Sequence, residues 1–256
     1  MASYLQEFLP AETFAFFLIF TRVGAALAVM PGFSEVYISA RIRLLAALMI
    51  TAVLAPVLEP NLPPAPTNPI SLIMLVIGEM LIGFFIGGIS RVLISGLATA
   101  GTILGFYAGF ANALLFNPLL SDTGGLPAVF LSILGLLLIF ITDTHHLMLM
   151  GVVDSYSLFV PGMVPQFGDF AETFVKFVAR SFVLGFQIAT PFLFVGILFY
   201  TGLGLLARLN PQLPVFFVAL PVQIWIGLFV MMVAFPAALM WFLDYFQFNM
   251  GRFLAP

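Results

Sequence analysis

The chain has 256 residues, of which 62% are hydrophobic and only 7% are charged, and its formal net charge is −3. Soluble domains carry about 25% charged residues, so this chain cannot cover itself with a polar surface, and we interpret it as an integral membrane protein. Eight Lys and Arg residues provide no basic field for nucleic acid, and the absence of cysteine excludes disulfides and thiolate metal sites.

The first apolar run, Thr13 to Met30, carries Arg22 near its middle and ends at Pro31-Gly32. A charge inside a membrane helix costs about 2.5–3.5 kcal/mol on insertion scales. We therefore expect Arg22 to meet a carboxylate, backbone carbonyls or a water-filled cavity. The alternative is an arginine that extends to the membrane interface.

A second apolar run, Leu44 to Leu58, is followed by a proline-rich linker at residues 59–69. Five prolines within these eleven residues favour an extended polyproline conformation. We interpret the linker as a stiff exposed loop, with a binding motif as the alternative.

The next predicted helix, Ile70 to Ile94, places four small or charged residues on one face, because Glu79, Gly83, Gly87 and Arg91 are spaced four apart. Such a face on an otherwise apolar helix indicates contact with protein and not with lipid. Glu79 and Arg91 lie about 18 Å apart along a helix. They cannot pair with each other, so we expect each to have a partner elsewhere, on this chain or on another.

Residues 101–127 are predicted to be a central Gly-rich helix followed by a plug or gate loop. Gly101, Gly105 and Gly109 recur every fourth residue, which gives a helix face where another backbone can approach. The residues that follow are rich in Asn, Pro and Gly and break any helix. An irregular segment at membrane depth is tolerated only where it is buried in protein or lines an aqueous cavity.

We predict an apolar constriction, which closes a pore by excluding water, around the end of this helix. The residues assigned to it are Phe106, Phe110, Asn112, Leu114, Leu115, Phe116, Asn117 and Pro118. Ordinary core packing is the alternative, since aromatic residues at helical spacing usually belong to a core.

Four further apolar runs follow, namely Leu126 to Ile141, Leu147 to Val160, Phe174 to Leu206 and Val215 to Leu243. Pro191 marks a kink in the third of these runs, and Pro221 and Pro236 interrupt the fourth. We predict an all-α membrane protein of six to eight apolar helices, kinked at Pro and Gly, which form helical hairpins that pack into an assembly. Several are shorter than the ~20 residues that a span needs. Residues 1–256 are interpreted as one membrane domain.

The sequence contains no motif for enzymatic chemistry. A Walker A motif, a dinucleotide-binding glycine fingerprint, Gly-x-Ser-x-Gly and His-Glu-x-x-His are all absent, so we assign no catalytic residue and no cofactor. His145 and His146 are the only histidines, and adjacent side chains on a helix point about 100° apart, which makes a poor metal pair. Asp143 and His146 are three residues apart, a spacing that would let them share a helix face. We assign no metal site, with a metal or proton-relay role as the alternative.

Residues 203–213 read Leu-Gly-Leu-Leu-Ala-Arg-Leu-Asn-Pro-Gln-Leu. This segment resembles the Leu-Gly-Leu-Leu-x-Arg-x-x-Pro-Gln signature of the FliR family of flagellar export-gate proteins, which has counterparts in virulence secretion. The resemblance extends over nearly the whole chain. It implies a structural turn shaped by Arg208, Asn210, Pro211 and Gln212, with Pro221 in the following helix.

Other segments resemble the family as well. Arg22 lies in a segment similar to its first helix, Asn117-Pro118 resembles the Asp-Pro after its central Gly-rich helix, and His145-His146 resembles its Gly-His position. The chain departs from the family pattern at Ser39, where proline is expected, at Asn117, where Asp is commoner, and at Asp143-Thr144, where Asn-Gly is typical.

The resemblance implies a non-enzymatic subunit of the flagellar type III protein export gate, in the bacterial inner membrane at the flagellar basal body. The implied partners are FliP and FliQ homologues, whose ring this subunit closes, an FlhB homologue, unfolded export substrates and membrane lipid. The plug of the family corresponds here to Phe110 to Pro118 and on to about Pro127.

Three alternatives remain at this point. One is the homologous subunit of a virulence injectisome. Another is a stand-alone transporter of small solutes, which would need ionisable sites on inverted repeats, and no convincing repeat is found. The third is an intramembrane enzyme centred on Asp143, His145 and His146, which would need a further convergent group.

Overall fold

A computed structural model of the chain describes residues 2–110, 125–162, 167–210, 212 and 215–252. Within these ranges lie seven α-helices: α1 (Ala2–Val29), α2 (Ala40–Leu58), α3 (Pro69–Tyr107), α4 (Gly125–Ile141), α5 (His145–Leu158), α6 (Phe167–Leu209) and α7 (Val215–Gly251). A 3-10 helix, Glu59–Asn61, follows α2. The same ranges contain no strand, so the predicted all-α class is confirmed.

Five helical stretches are long and apolar enough to cross a membrane: Glu12–Val29, Ala40–Leu58, Pro69–Tyr107, Gly168–Leu209 and Ala219–Gly251. The number becomes six when α4 and α5, which a short break separates, are counted together as one span. In the part of the chain that the structure describes, the length and composition of the helices thus agree with the predicted membrane protein.

Three helices are longer than predicted. Helices α3, α6 and α7 have 39, 43 and 37 residues. Helix α3 continues from the predicted helix at Ile70 to Ile94 through Gly101 and Gly105, but it ends at Tyr107, before Gly109. Pro191 lies inside α6, and Pro221 and Pro236 lie inside α7, so these prolines do not end their helices. A proline removes one backbone hydrogen bond, but apolar surroundings favour continuing the helix because an irregular backbone would expose more unpaired groups.

Local hydrogen bonds fix where α2 and α3 begin. The side-chain oxygen of Ser39 accepts a hydrogen bond from the backbone N–H of Ile42 at 3.4 Å. At the start of α3, Oδ1 of Asn68 accepts from the N–H of Ile70 at 3.0 Å, and Pro69 occupies the first helical position. Both arrangements are N-caps of the usual type.

Hydroxyl groups inside the apolar helices bond to their own helix backbone. Thr51, Ser90 and Thr102 each donate to the carbonyl oxygen four residues earlier, at 2.7, 3.1 and 2.9 Å. This bond satisfies the hydroxyl without a partner from another helix, so these polar residues do not prevent burial or lipid contact.

The described residues divide into two compact units. The first unit takes its residues from 1–92, 142–177 and 247–256, has α1 packed against α2, and has a core that includes Leu18, Ile19, Ile82 and Ile86. The second takes its residues from 93–141 and 178–246, and its core includes Leu97, Ile139 and Phe242. A single domain over residues 1–256 stays a prediction.

Candidate functional site

Arg22, in the C-terminal half of α1, has no exposed surface and forms a bidentate ion pair in the first unit. Its Nε donates to Oε2 of Glu79 at 2.5 Å, and its Nη2 donates to Oε1 of the same carboxylate at 2.9 Å. Glu79, on α3, is 1% exposed. Two parallel charge-assisted hydrogen bonds are the strongest way to neutralise a buried guanidinium.

Residues of α5 and just beyond it complete the surroundings of Arg22. Nη1 donates to Oγ of Ser155 at 3.0 Å, and Nη2 donates to the backbone carbonyl oxygen of Phe159 at 3.1 Å. The guanidinium carbon lies 3.8 Å from the ring centroid of Tyr156, a cation–π contact. Arg22 thus meets a carboxylate and a backbone carbonyl, two of the three surroundings expected for it, and its side chain does not extend to the protein surface.

Gly83 and Gly87 let α3 lie directly against the backbone of α1. A Cβ atom added at Gly83 would overlap the carbonyl oxygen of Arg22, and one added at Gly87 would lie 2.5 Å from the carbonyl oxygen of Ala26. Glu79 is on the same face of α3. This face contacts α1 of the same chain, while a contact with a partner subunit stays a prediction.

Arg91, the last residue of this series, has a partner of its own. Its side chain is 49% exposed, and its Nη1 donates to Oε1 of Glu35 at 2.5 Å and to Oγ of Ser34 at 3.3 Å. Glu35 and Ser34 lie in the turn after α1. Glu79 and Arg91 therefore pair with separate groups of this chain, as their separation along the helix requires.

The substitution Gly87→Ala should destabilise the chain by about 1–3 kcal/mol, because the new methyl group forces α1 and α3 apart. A lower apparent Tm of the purified chain in detergent would measure this effect. The control is Gly78→Ala on the same helix, where an added Cβ would have no atom within 4 Å. Alanine favours a helix over glycine, so the control should keep or slightly raise the Tm. Equal losses in both variants would contradict the close approach.

In the second unit, glycines bring the end of α3 close to α4 and α7. An added Cβ at Gly101 would collide with the backbone of Pro127 and Ala128 at the start of α4. Gly105 is also buried. Beyond Tyr107, where α3 ends, Gly109 has a φ of +78°, a backbone conformation that favours glycine over residues with a Cβ.

Gln223, a buried residue of α7, caps the end of α3. Its Nε2 donates to the backbone carbonyl oxygen of Tyr107 at 3.0 Å and to the hydroxyl of Tyr200 at 2.9 Å. The last four carbonyls of a helix have no partner within the helix, and Gln223 supplies one. Gln223 is not among the residues predicted from the sequence, although its lone amide within an apolar run is a signal that could have identified it.

The predicted gate residues are only partly described. Phe106 is 61% exposed and faces an open apolar groove of about 540 Å³, lined by Ile103, Phe106, Tyr107, Phe186, Leu193 and Tyr200. Phe110 is half-buried. The other gate residues, Asn112, Leu114, Leu115, Phe116, Asn117 and Pro118, lie outside the described residues. Their role in a gate stays a prediction.

The residues of the family signature lie at the end of α6 and just before α7 in the chain. Arg208 is in the last turn of α6, Asn210 follows the helix, and both are exposed, as is Gln212. Pro211 lies outside the described residues, and Pro221 is an exposed residue within α7. The role of these residues in shaping a structural turn stays a prediction.

Comparison with known proteins identifies the class. Residues 13–248 match the family of bacterial export proteins, family 1, and the chain belongs to this family. The chain is 36% identical to the flagellar biosynthetic protein FliR of Caulobacter vibrioides over 211 residues, and this alignment covers 82% of this chain and 84% of that protein. It is 30% identical over 224 residues to FliR of Bacillus subtilis, covering 86% and 85%, and 28% identical over 216 residues to FliR of Escherichia coli, covering 84% and 82%. The resemblance to the FliR family is confirmed.

Proposed function

We propose that this chain is a component of the flagellar export apparatus, as a non-enzymatic membrane subunit of the type III protein export gate. The family match over residues 13–248 carries the proposal, and proteins named FliR match most of the chain. Apolar helices of membrane-spanning length favour a location in the bacterial inner membrane, at the flagellar basal body.

In the proposed assembly, the subunit closes a helical ring of FliP and FliQ homologues, which an FlhB homologue joins. Large apolar side chains on α6 and α7 support such partners, because Phe186, Phe194, Trp225 and Phe229 are each more than half exposed in the isolated chain. Large exposed apolar side chains of this kind would be covered by protein or membrane. Lipid covers what the partners leave exposed, and neither nucleic acid nor a cofactor takes part.

The gate is the segment that follows α3. This segment begins at the end of α3, which Gln223 caps. The positive φ of Gly109 lets the backbone change direction there. Because the end of α3 is held in place, Phe110 to Pro118 can block a channel and can also move aside without a movement of α3. Unfolded export substrates would then pass through the opened gate.

Two observations argue against the alternative functions. The matching relatives carry the flagellar name, which favours a flagellar system over a virulence injectisome. In the described part of the chain, Arg22 and Glu79 neutralise each other in a buried pair. Such a closed pair is unlike the open ionisable site that a stand-alone solute transporter needs.

Native mass spectrometry tests the proposal. The chain is produced together with the FliP and FliQ homologues of the same genome, and the complex is extracted in mild detergent. We expect a discrete complex that contains one copy of this chain. A monomer or homo-oligomer that binds neither partner would argue against an export-gate subunit.

A further inference from the structure

The turn that precedes α5 gathers three side chains of metal-binding type. Asp143, His145 and His146 each offer one ligand atom, and these atoms all lie within 4.8 Å of one another. All three residues belong to the first unit. We propose that they form a binding site for a divalent transition-metal ion, with zinc as the representative ion. This site is independent of the proposed export function, and it differs from the expectation that the sequence holds no metal site.

The backbone explains why neighbouring histidines converge here. Asp143 has a φ of +55°, a left-handed conformation that Asp tolerates better than most residues. The backbone N–H of His146 then donates to the carbonyl oxygen of Asp143 at 3.0 Å. The two imidazole rings, at the first turn of α5, have centroids only 4.2 Å apart. The divergence expected of adjacent helical side chains is thus overcome at this helix start.

One of the imidazoles is also oriented by the backbone. Nδ1 of His146 lies 3.1 Å from the carbonyl oxygen of Asp143. An imidazole that donates through Nδ1 to a carbonyl keeps the lone pair of Nε2 for a metal, and this is the usual second contact of metal-binding histidines. This contact restrains the orientation of the His146 ring.

The turn is held in place by Thr144, which lies between the proposed ligands. Thr144 is 3% exposed, and its Oγ1 lies 2.8 Å from Oγ1 of Thr142 and accepts a hydrogen bond from Nε2 of Gln247 at 3.2 Å. Gln247 comes from α7. A site whose supporting residues are already fixed loses less entropy when the ion binds.

Two imidazole nitrogens and one carboxylate oxygen select the class of ion. Imidazole ligands suit Zn²⁺ and related transition metals, whereas Ca²⁺ and Mg²⁺ require mainly oxygen ligands. Because Asp143 and His146 are exposed, water completes the coordination. A bound ion would join residues on both sides of Thr144 and would stiffen the start of α5.

A zinc titration of the full-length chain tests the proposal. The chain is purified in mild detergent with an affinity tag that contains no histidine, and Zn²⁺ binding is measured by calorimetry, with the absorption spectrum of bound Co²⁺ as a second measurement. We expect one Zn²⁺ per chain. Asp143→Asn and His146→Gln should each weaken binding at least about tenfold, since loss of a mere supporting contact already costs that much.

Asp154→Asn is the matched control, because it makes the same change of charge on α5 outside the cluster. It should bind zinc like the unmodified chain. Asn tolerates the positive φ of residue 143, and the Tm of each metal-free variant shows that it is folded. The proposal is overturned if the unmodified chain binds no zinc, if both cluster variants bind it equally well, or if Asp154→Asn weakens it to the same extent.

Discussion

The substitution Glu79→Gln is expected to destabilise the chain by about 3–5 kcal/mol, because it leaves the guanidinium of Arg22 buried without a counter-charge. The same substitution at Glu172 should have no measurable effect. Glu172 pairs with Lys176 at 2.6 Å, but both side chains are about two-thirds exposed, and water and salt screen such pairs. The apparent Tm in detergent and the yield of folded chain measure the difference between the two variants.

A double substitution distinguishes the effect of the buried charges on stability from the effect of a simple loss of packing. Arg22→Met alone leaves the Glu79 carboxylate buried and unpaired, so it should be as harmful as Glu79→Gln. Replacement of both residues by methionine removes both charges and should recover much of the lost stability, since a buried pair is often replaceable by apolar residues of similar volume. A double variant less stable than either single variant, or equal effects at Glu79 and Glu172, would show that the buried charge is not what matters.

The sequence predicted that Arg22 and Glu79 need partners but could not identify the pair. The cost of a charge in an apolar helix follows from residue type alone. The choice of partner depends on which helices touch, and these two residues are 57 positions apart in the chain. The first unit contains other carboxylates, among them Glu35 and Asp154, so residue type alone does not single out Glu79. Ser155 and Tyr156 were also beyond prediction, because only the packing of α5 brings them to α1.

The fold class was predictable and the helix lengths were not. Composition and apolar runs were enough to predict an all-α membrane protein. Pro221 and Pro236 were expected to interrupt their apolar run, yet both lie inside the continuous helix α7, because the cost of a missing hydrogen bond depends on its surroundings. Pro191, where a kink was expected, lies inside α6. The glycine spacing predicted close packing of α3, but which helix each glycine meets depends on the fold: Gly87 meets α1 and Gly101 meets α4.

The substitution Gly109→Ala is expected to make the assembled gate leak ions. Alanine in the left-handed conformation costs about 1–2 kcal/mol, and its methyl group would lie 3.0 Å from Cδ of Gln223, closer than side chains normally pack. The backbone would relieve this strain by changing direction just before Phe110. If the following residues form the plug, they would then no longer fit the channel.

Gly202→Ala is the control, since an added Cβ at this position in α6 has no atom within 4 Å. Cells that produce the whole export apparatus are compared for membrane potential, with a voltage-sensitive dye, and for motility in soft agar. Gly109→Ala should lower the potential while the complex still co-purifies, and Gly202→Ala should behave like the unmodified chain.

Gln223→Leu distinguishes the capping bond from the backbone conformation. It removes the donor to the Tyr107 carbonyl and leaves Gly109 unchanged, so a leak in this variant as well would mean that the end of α3 must be held for the gate to close. A leak with Gly109→Ala alone would assign closure to the direction of the backbone at Gly109. If cells with Gly109→Ala assemble an intact complex and keep their membrane potential, the plug is contradicted. Strain in the backbone at residue 109 would then have no effect on closure of the channel.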